Sequence, residues 1–119
     1  SAPWSSKMYT ANVKGIQFEI ESIKAEQKSL VNNIEGNLEN IKIQIANKKQ
    51  QISLTEKVVV PSMQKNYDTE LLAYEQNTEM LFMVLDAWQN LKTAQLTYLD
   101  QIMELLSLQV EYEKQLELK

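Results

Sequence analysis

The scarcity of residues that reverse a chain constrains this sequence most. Among 119 residues there are only two glycines, Gly15 and Gly36, and two prolines, Pro3 and Pro61. Compact domains of this length need several tight connections, and glycine and proline make many of them. The residues that dominate instead are Leu, Ile, Gln, Glu, Lys, Asn and Ala, and most of these are good helix formers. We therefore expect very few elements, each of them a very long helix.

The charge and the missing residue types argue against several kinds of function. The formal net charge is −4, and the chain has no histidine and no cysteine. Without a basic stripe, neither nucleic acid nor anionic lipid is an expected partner. The carboxylates do not combine with a base, a metal-ligand cluster or a phosphate loop, so we expect no enzyme, no metal and no cofactor.

The apolar runs are too short to cross a membrane as a helix. The longest is Met80–Leu85, whereas a spanning helix needs about 20 residues. The opening residues Ser1–Trp4 resemble a join to an excised segment, and we expect the chain to be a fragment of a larger protein.

The first half of the chain predicts one long helix over residues 5–73. Pro3 and the pair Ser5-Ser6 suggest where it begins, since serine is a good N-cap residue, and apolar residues then recur at the alternating steps of a coiled-coil seam. After Ile34 the register moves by one residue, and Pro61 predicts a kink without a reversal. The predicted seam is Tyr9, Val13, Ile16, Ile20, Ile23, Gln27, Leu30, Ile34, Leu38, Ile41, Ile45 and Ile52, followed beyond Pro61 by Met63, Tyr67 and Leu71 or Leu72.

The reversal is predicted at residues 74–78, and the returning helix at residues 79–118. Asn77 tolerates a left-handed backbone conformation better than most residues do. Asn77 or Thr78 can cap the second helix, and Glu79 suits its first turn because of the helix dipole. The chain should therefore form one long antiparallel hairpin.

The returning helix carries two neighbouring apolar seams, which are too wide for one partner helix. Its other face is polar, and taken alone it is most simply a solvated surface. The first seam is Leu81, Val84, Trp88, Leu91, Gln95, Tyr98, Ile102, Leu105, Gln109, Tyr112 and Leu116; the second is Leu99, Met103, Leu106 and Val110; the polar face is Met83, Asp86, Asn90, Thr93, Thr97 and Asp100.

The two arms of the hairpin differ in length. With a turn near Gln76, Lys119 folds back to about residue 33, and the paired arm is about 65 Å long at ~1.5 Å per residue. Residues 5 to about 32 then have no partner in this chain. Their seam requires another chain, or sequence outside this fragment.

The tip sequence resembles the C-terminal repeat of the TolC-like family of outer-membrane efflux proteins. In that family a tip of the form Tyr-x-x-Gly is followed by Val-Leu-Asp-Ala and then by Gln and Tyr at heptad spacing. The matching residues here are Tyr74 to Asn77, Val84 to Ala87, and then Gln95, Tyr98 and Leu99; Pro61, Tyr67 and the opening Pro3-Trp4 also fit the family pattern. The resemblance covers nearly the whole chain, and it is more specific around the tip than along the first helix.

The resemblance implies a fold and a function. The chain would be a piece of a trimeric α-barrel, lying in the periplasm below a β-barrel in the outer membrane of a Gram-negative bacterium. It would form part of a passive export duct of a type I secretion or RND-type tripartite pump. Its partners would be two more copies, a periplasmic adaptor and an inner-membrane pump. The exported substrate does not follow from the sequence.

The resemblance also implies site residues. The adaptor would dock on the tip, Tyr74, Glu75, Gln76, Asn77 and Thr78. Asp86 would favour cations at the channel gate. Two positions depart from the family pattern: Asn77 stands for the tip glycine, and Met83 stands where an earlier acid often lies, so an acidic ring at the gate would rest on Asp86 alone.

A structural or signalling coiled coil, such as a receptor stalk or an adaptor hairpin, is the alternative. It shares the heptads and the single turn. It does not predict Tyr-x-x-Asn followed by Val-Leu-Asp-Ala, or a doubled seam on one helix only. The rest of the gene discriminates the two, because an efflux channel should carry a second hairpin pattern upstream, separated by alternating strands of ~10 residues.

Overall fold

The computed structural model describes residues 3–119, which form an antiparallel two-helix hairpin. The first arm consists of α1 (Pro3–Leu54), a π-helical turn (Thr55–Val59) and α2 (Val60–Glu75), and the second arm is α3 (Leu81–Leu118). The molecule measures 110 × 20 × 15 Å. The predicted fold class, an all-α coiled-coil hairpin, is confirmed. Ser1 and Ala2 lie outside the described residues, and so does the part of the predicted join that falls on them.

The helical region already includes Pro3, so the N-cap role predicted for Ser5 and Ser6 is wrong. Both serines lie inside α1, and no N-cap role remains for them. Proline is well suited to the first helical turn, because its fixed φ is helical and its missing N–H would have no partner there anyway.

The core is a narrow seam along the paired arms. Ile34, Leu38 and Ile41 of α1 are buried against α3, and Ile45 and Ile52 are half-buried. On α3 the buried residues are Val84, Ala87, Leu91 and Ala94. Towards the open end of α3, the seam continues through half-buried residues, among them Tyr98, Ile102, Leu105 and Tyr112.

The predicted position of Trp88 in the seam is wrong. Trp88 is exposed, with the Lys92 Nζ atom 5.8 Å from its ring centroid, and the neighbouring Ala87 is buried in its place. Leu81 and Leu116, at the two ends of the predicted seam, are also exposed. Small side chains at Ala87 and Ala94 fit between closely packed helices, where an indole ring would not.

A π-helical turn precedes Pro61, and the chain stays helical through the proline. The Val60 N–H donates to the Thr55 carbonyl, five residues back, and Thr55 is buried. The buried and half-buried residues that face α3 here are Thr55, Val59, Met63 and Tyr67. Each lies four positions after the one before it, so the spacing of four occurs three times in succession. A coiled-coil seam alternates steps of three and four, so this segment holds one extra residue. The π-helical turn is wider than an α-helical turn and accommodates that extra residue, so Met63 and Tyr67 still face α3.

The connection between the arms occupies Gln76–Met80, two residues later than predicted at both ends. Asn77 has a φ of 59°, the left-handed conformation predicted for it. Its N–H donates to the Tyr74 carbonyl at 2.9 Å, and the Thr78 N–H donates to the Ala73 carbonyl at 2.9 Å. This pair of bonds is a Schellman motif, which satisfies the last carbonyls of α2.

The predicted caps of the second helix are wrong. Met80 is the N-cap residue of α3 and makes no side-chain cap bond, and α3 begins at Leu81. The Thr78 hydroxyl instead donates backwards to the Ala73 carbonyl at 2.9 Å. Thr78 therefore helps to end α2 rather than to begin α3.

The free end of α3 reaches the position expected from the arithmetic of the hairpin. The Lys119 Nζ atom lies 3.2 Å from the Glu35 carboxylate, and Lys48 pairs with Glu104 farther along the arm. Residues 3–33 extend beyond this point. Every side chain in that extension is exposed except Val13, which is half-buried.

Candidate docking tip and exposed apolar stripes

The predicted docking residues lie together at one end of the rod. Tyr74, Glu75, Gln76, Asn77 and Thr78 are all exposed. The first two belong to the last turn of α2, and the other three belong to the connection. Because the Schellman bonds fix the backbone here, the tip presents a defined surface and not a loose loop.

Sequence reasoning missed a set of exposed apolar residues beside the tip. Met80, Phe82 and Leu85 are strongly exposed, and Phe82 reaches 70%. They belong to the apolar run Met80–Leu85; the sequence patterns place Leu85 in the tip motif but predict no exposed patch here. Their positions on the helix relative to Val84, which is buried, could have indicated that they point away from the first arm. Exposed apolar clusters of this kind mark interaction surfaces when they are contiguous.

Two carboxyl groups face each other across the base of the turn. Glu70 is half-buried, and its Oε2 atom is shielded from solvent without a hydrogen-bond partner. Lost hydration raises the pKa of Glu70 above its usual value of 4.5, and the nearby carboxyl group of Glu79 raises it further.

We expect Glu70→Gln to stabilise the hairpin at pH 7. The folded state holds a proton on Glu70 more tightly than the unfolded state does, so the wild type loses stability as the pH rises through this raised pKa. The glutamine removes that loss, and its advantage should vanish below pH ~4, where carboxyl groups are protonated in both states. Urea denaturation at pH 4 and pH 7 measures the difference.

Glu79→Gln is the matched variant, because it removes the other carboxylate of the pair and with it the repulsion between Glu70 and Glu79. It should also stabilise the hairpin at pH 7. A loss of stability at pH 7 in both variants would show instead that the carboxylates accept stabilising bonds.

The predicted gate residues lie on the exposed face of α3. Asp86 and Met83 are both exposed, one helical turn apart. Farther along the same face, the structure brings together an open groove of about 360 Å³ between the π-helical turn and α3; it is lined by Thr55, Val59, Met63, Asn90, Thr93, Ala94 and Thr97. Asp86 lies outside this groove.

The second predicted seam of α3 is exposed and not packed in the core. Leu99, Met103, Leu106 and Val110 are exposed, and Leu96 extends the same spacing by one position. We call these five residues the α3 outer stripe. Beside it, the inner seam of the same helix is packed on α1 and α2, so α3 carries one covered and one uncovered apolar stripe.

Among residues 3–119, no three His, Cys, Asp or Glu side chains are grouped so as to hold a metal ion. Within the same range, no helix combines the length and apolarity needed to span a membrane.

Comparisons with protein-family models, curated proteins and solved structures find no match to this chain.

Proposed function

We propose that this chain is a wall segment of a passive export channel, the periplasmic part of an outer-membrane efflux protein in a Gram-negative bacterium. The observation that carries the proposal is the doubled apolar surface of α3. Its inner seam packs against the first arm, with Val84 and Leu91 buried, and its outer stripe from Leu96 to Val110 is exposed. A helix in a closed wall contacts neighbours on two sides, whereas a helix in an isolated two-stranded coil needs one seam.

The tip supports the docking part of the proposal. The resemblance to the TolC-like family rests on Tyr74 to Asn77 and on Val84 to Ala87. At that same end the chain exposes Met80, Phe82 and Leu85. An apolar patch at the end of a rod suits end-on contact with the hairpin of a periplasmic adaptor, which would connect the channel to an inner-membrane pump of the type I secretion or RND class.

The duct itself would act by shape and charge. Three copies would form the wall, and the polar face bearing Asp86, Asn90 and Thr93 would line the water-filled path. Asp86 would favour cations at the constriction, because a ring of carboxylates there creates a negative potential. The gate would open as neighbouring hairpins shift at the tip, and the energy would come from the pump.

Cysteine crosslinking in cells tests the docking role. Gln76→Cys in the full-length channel protein should form an adduct with the adaptor, because Gln76 is exposed at the tip and has an ordinary backbone conformation. Glu111→Cys is the matched control, since it is exposed far along the shaft. Adducts along the shaft together with a clean failure at the tip would refute the proposal.

A further inference from the structure

Glu70 occupies a position in the seam between the two arms. It is half-buried, and it follows the half-buried Tyr67 by three residues, as one seam position follows another. Its Oε2 atom is shielded from solvent and has no hydrogen-bond partner. A shielded carboxylate without a partner is unfavourable, whereas the protonated acid tolerates such a place much better.

No cation near the tip compensates a charge on Glu70. The chain has no basic residue between Lys65 and Lys92. That stretch carries five acidic residues, which are Asp68, Glu70, Glu75, Glu79 and Asp86. The end of the hairpin therefore offers a charged Glu70 repulsion and no ion pair.

Glu79 is the charged group that faces Glu70 from the connection. On α2, the titratable residues within one turn of Glu70 are Tyr67 and Tyr74. On α3, the acidic residue of the segment nearest the turn is Asp86, and it is exposed. The repulsion that matters for Glu70 therefore acts between α2 and the connection.

Of the two carboxyl groups, Glu70 is the better place for a proton. The Met80 N–H donates to the Glu79 Oε1 atom at 3.3 Å, at the N-terminus of α3, where the helix dipole favours a negative charge. Glu70 has no such donor at its shielded Oε2 atom.

Few bonds hold the connection to the end of α2. The Asn77 N–H donates to the Tyr74 carbonyl, and both the N–H and the hydroxyl of Thr78 donate to the Ala73 carbonyl. Asn77 and Thr78 are exposed. A segment held by a few exposed bonds opens locally at a lower free energy than the whole fold does.

We propose that the end of the hairpin is a proton-controlled joint. While Glu70 is protonated, its side chain stays in the seam and the connection Gln76–Met80 remains bound to α2. When Glu70 is ionised, the connection separates from α2, and water reaches the carboxylate. The joint goes beyond the channel function and does not depend on it. Because Met80 lies in the connection, the joint also controls how this exposed apolar side chain is presented.

The direction of the pKa shift agrees with the joint. Lost hydration first, and then Glu79, raise the pKa of Glu70. The closed end therefore binds the proton more tightly than the opened end does. Protonation favours the closed end, and this preference is lost as the pH rises through the raised pKa.

Amide hydrogen exchange of the 119-residue chain tests the joint. Each rate is divided by that of an unstructured peptide at the same pH, which removes the pH dependence of the exchange chemistry. From pH 4 to pH 7, the protection of the Thr78 amide should fall about threefold, as expected for an interaction between partly exposed charges. Thr78 should also be much less protected than Leu91, which is buried in the paired arms.

Three variants identify the group that controls the joint. Glu70→Gln should make the protection of Thr78 independent of pH. Glu79→Gln should reduce the pH dependence without abolishing it, because lost hydration is the larger cause of the shift. Glu75→Gln is the matched control, since it removes an exposed carboxylate near the end of α2, and it should behave as the wild type does.

Two outcomes would overturn the proposal. One is a protection of Thr78 that does not change with pH in the wild type, or that still changes with pH in Glu70→Gln. The other is equal protection of Thr78 and Leu91, because the end would then open only when the whole hairpin unfolds.

Discussion

Deleting Lys57 should leave the hairpin intact, whereas inserting an alanine at the same place should disrupt it. Lys57 is exposed in the middle of the π-helical turn Thr55–Val59. The seam holds one extra residue here, so the deletion allows an ordinary α-helix with Met63 and Tyr67 still facing α3. We expect the free energy of unfolding to stay within about 1 kcal/mol of wild type, since no core contact is lost.

The insertion has the opposite effect because the turn has already absorbed one residue. A second extra residue rotates the helix before it by ~100° relative to the helix after it. Ile34, Leu38 and Ile41, all buried, would leave the α3 surface together. At about 1.5–3 kcal/mol for each buried aliphatic side chain, the loss should exceed ~4 kcal/mol.

Urea denaturation followed by circular dichroism compares the two variants. The comparison also separates two causes of the π-helical turn, the seam spacing and Pro61, which has no N–H to donate. If the deletion destabilises the hairpin as much as the insertion does, the proline sets the turn and the account from the seam spacing is wrong.

The main features of the fold follow from local patterns in the sequence. Heptad spacing predicts both long helices, and the scarcity of glycine and proline leaves room for a single reversal. The left-handed conformation of Asn77 was predictable because asparagine, after glycine, adopts it most readily. The arithmetic of the arms also placed Lys119 near residue 33, and the structure pairs it with Glu35.

The choice of buried residue at some positions depends on how closely the two arms approach each other, and local sequence patterns do not predict that distance. A seam defined by large apolar residues favours Trp88 over Ala87, yet the close approach of the two arms buries the alanine. The π-helical turn was also missed as such, because Pro61 suggested a kink while three successive steps of four carried the signal. Both errors come from treating each helix separately from its partner.

Some residues of the candidate site were also predictable from local sequence, whereas others depend on how the two arms pack. The turn was predicted at Tyr74 to Thr78 because a turn has a local signature, and it lies two residues later, between Glu75 and Leu81. The exposed residues Met80, Phe82 and Leu85 were not, because their exposure depends on which face of α3 meets the first arm. The raised pKa of Glu70 likewise depends first on its loss of hydration in the folded hairpin and then on Glu79, which the turn brings close to it.

Leu91→Ala should cost the hairpin much more stability than Leu99→Ala. Leu91 is only 4% exposed, in the middle of the covered seam, whereas Leu99 is 54% exposed on the α3 outer stripe. Truncating a buried leucine removes its burial energy and leaves a cavity, at a cost of about 2–5 kcal/mol. The same change at Leu99 opens no cavity within the hairpin, and its cost should be below about 1 kcal/mol.

The same pair of substitutions separates the stability of the hairpin from its assembly. If the proposed channel function is right, Leu99→Ala in the full-length protein should reduce the yield of assembled trimer, measured by native electrophoresis of detergent-extracted membranes, because a neighbouring helix would cover that stripe. In the 119-residue chain, chemical denaturation at a low concentration should show the stability difference directly. If Leu99→Ala costs the isolated chain as much as Leu91→Ala does, the outer stripe is already covered within the hairpin. The argument that α3 needs neighbours on two sides would then fail.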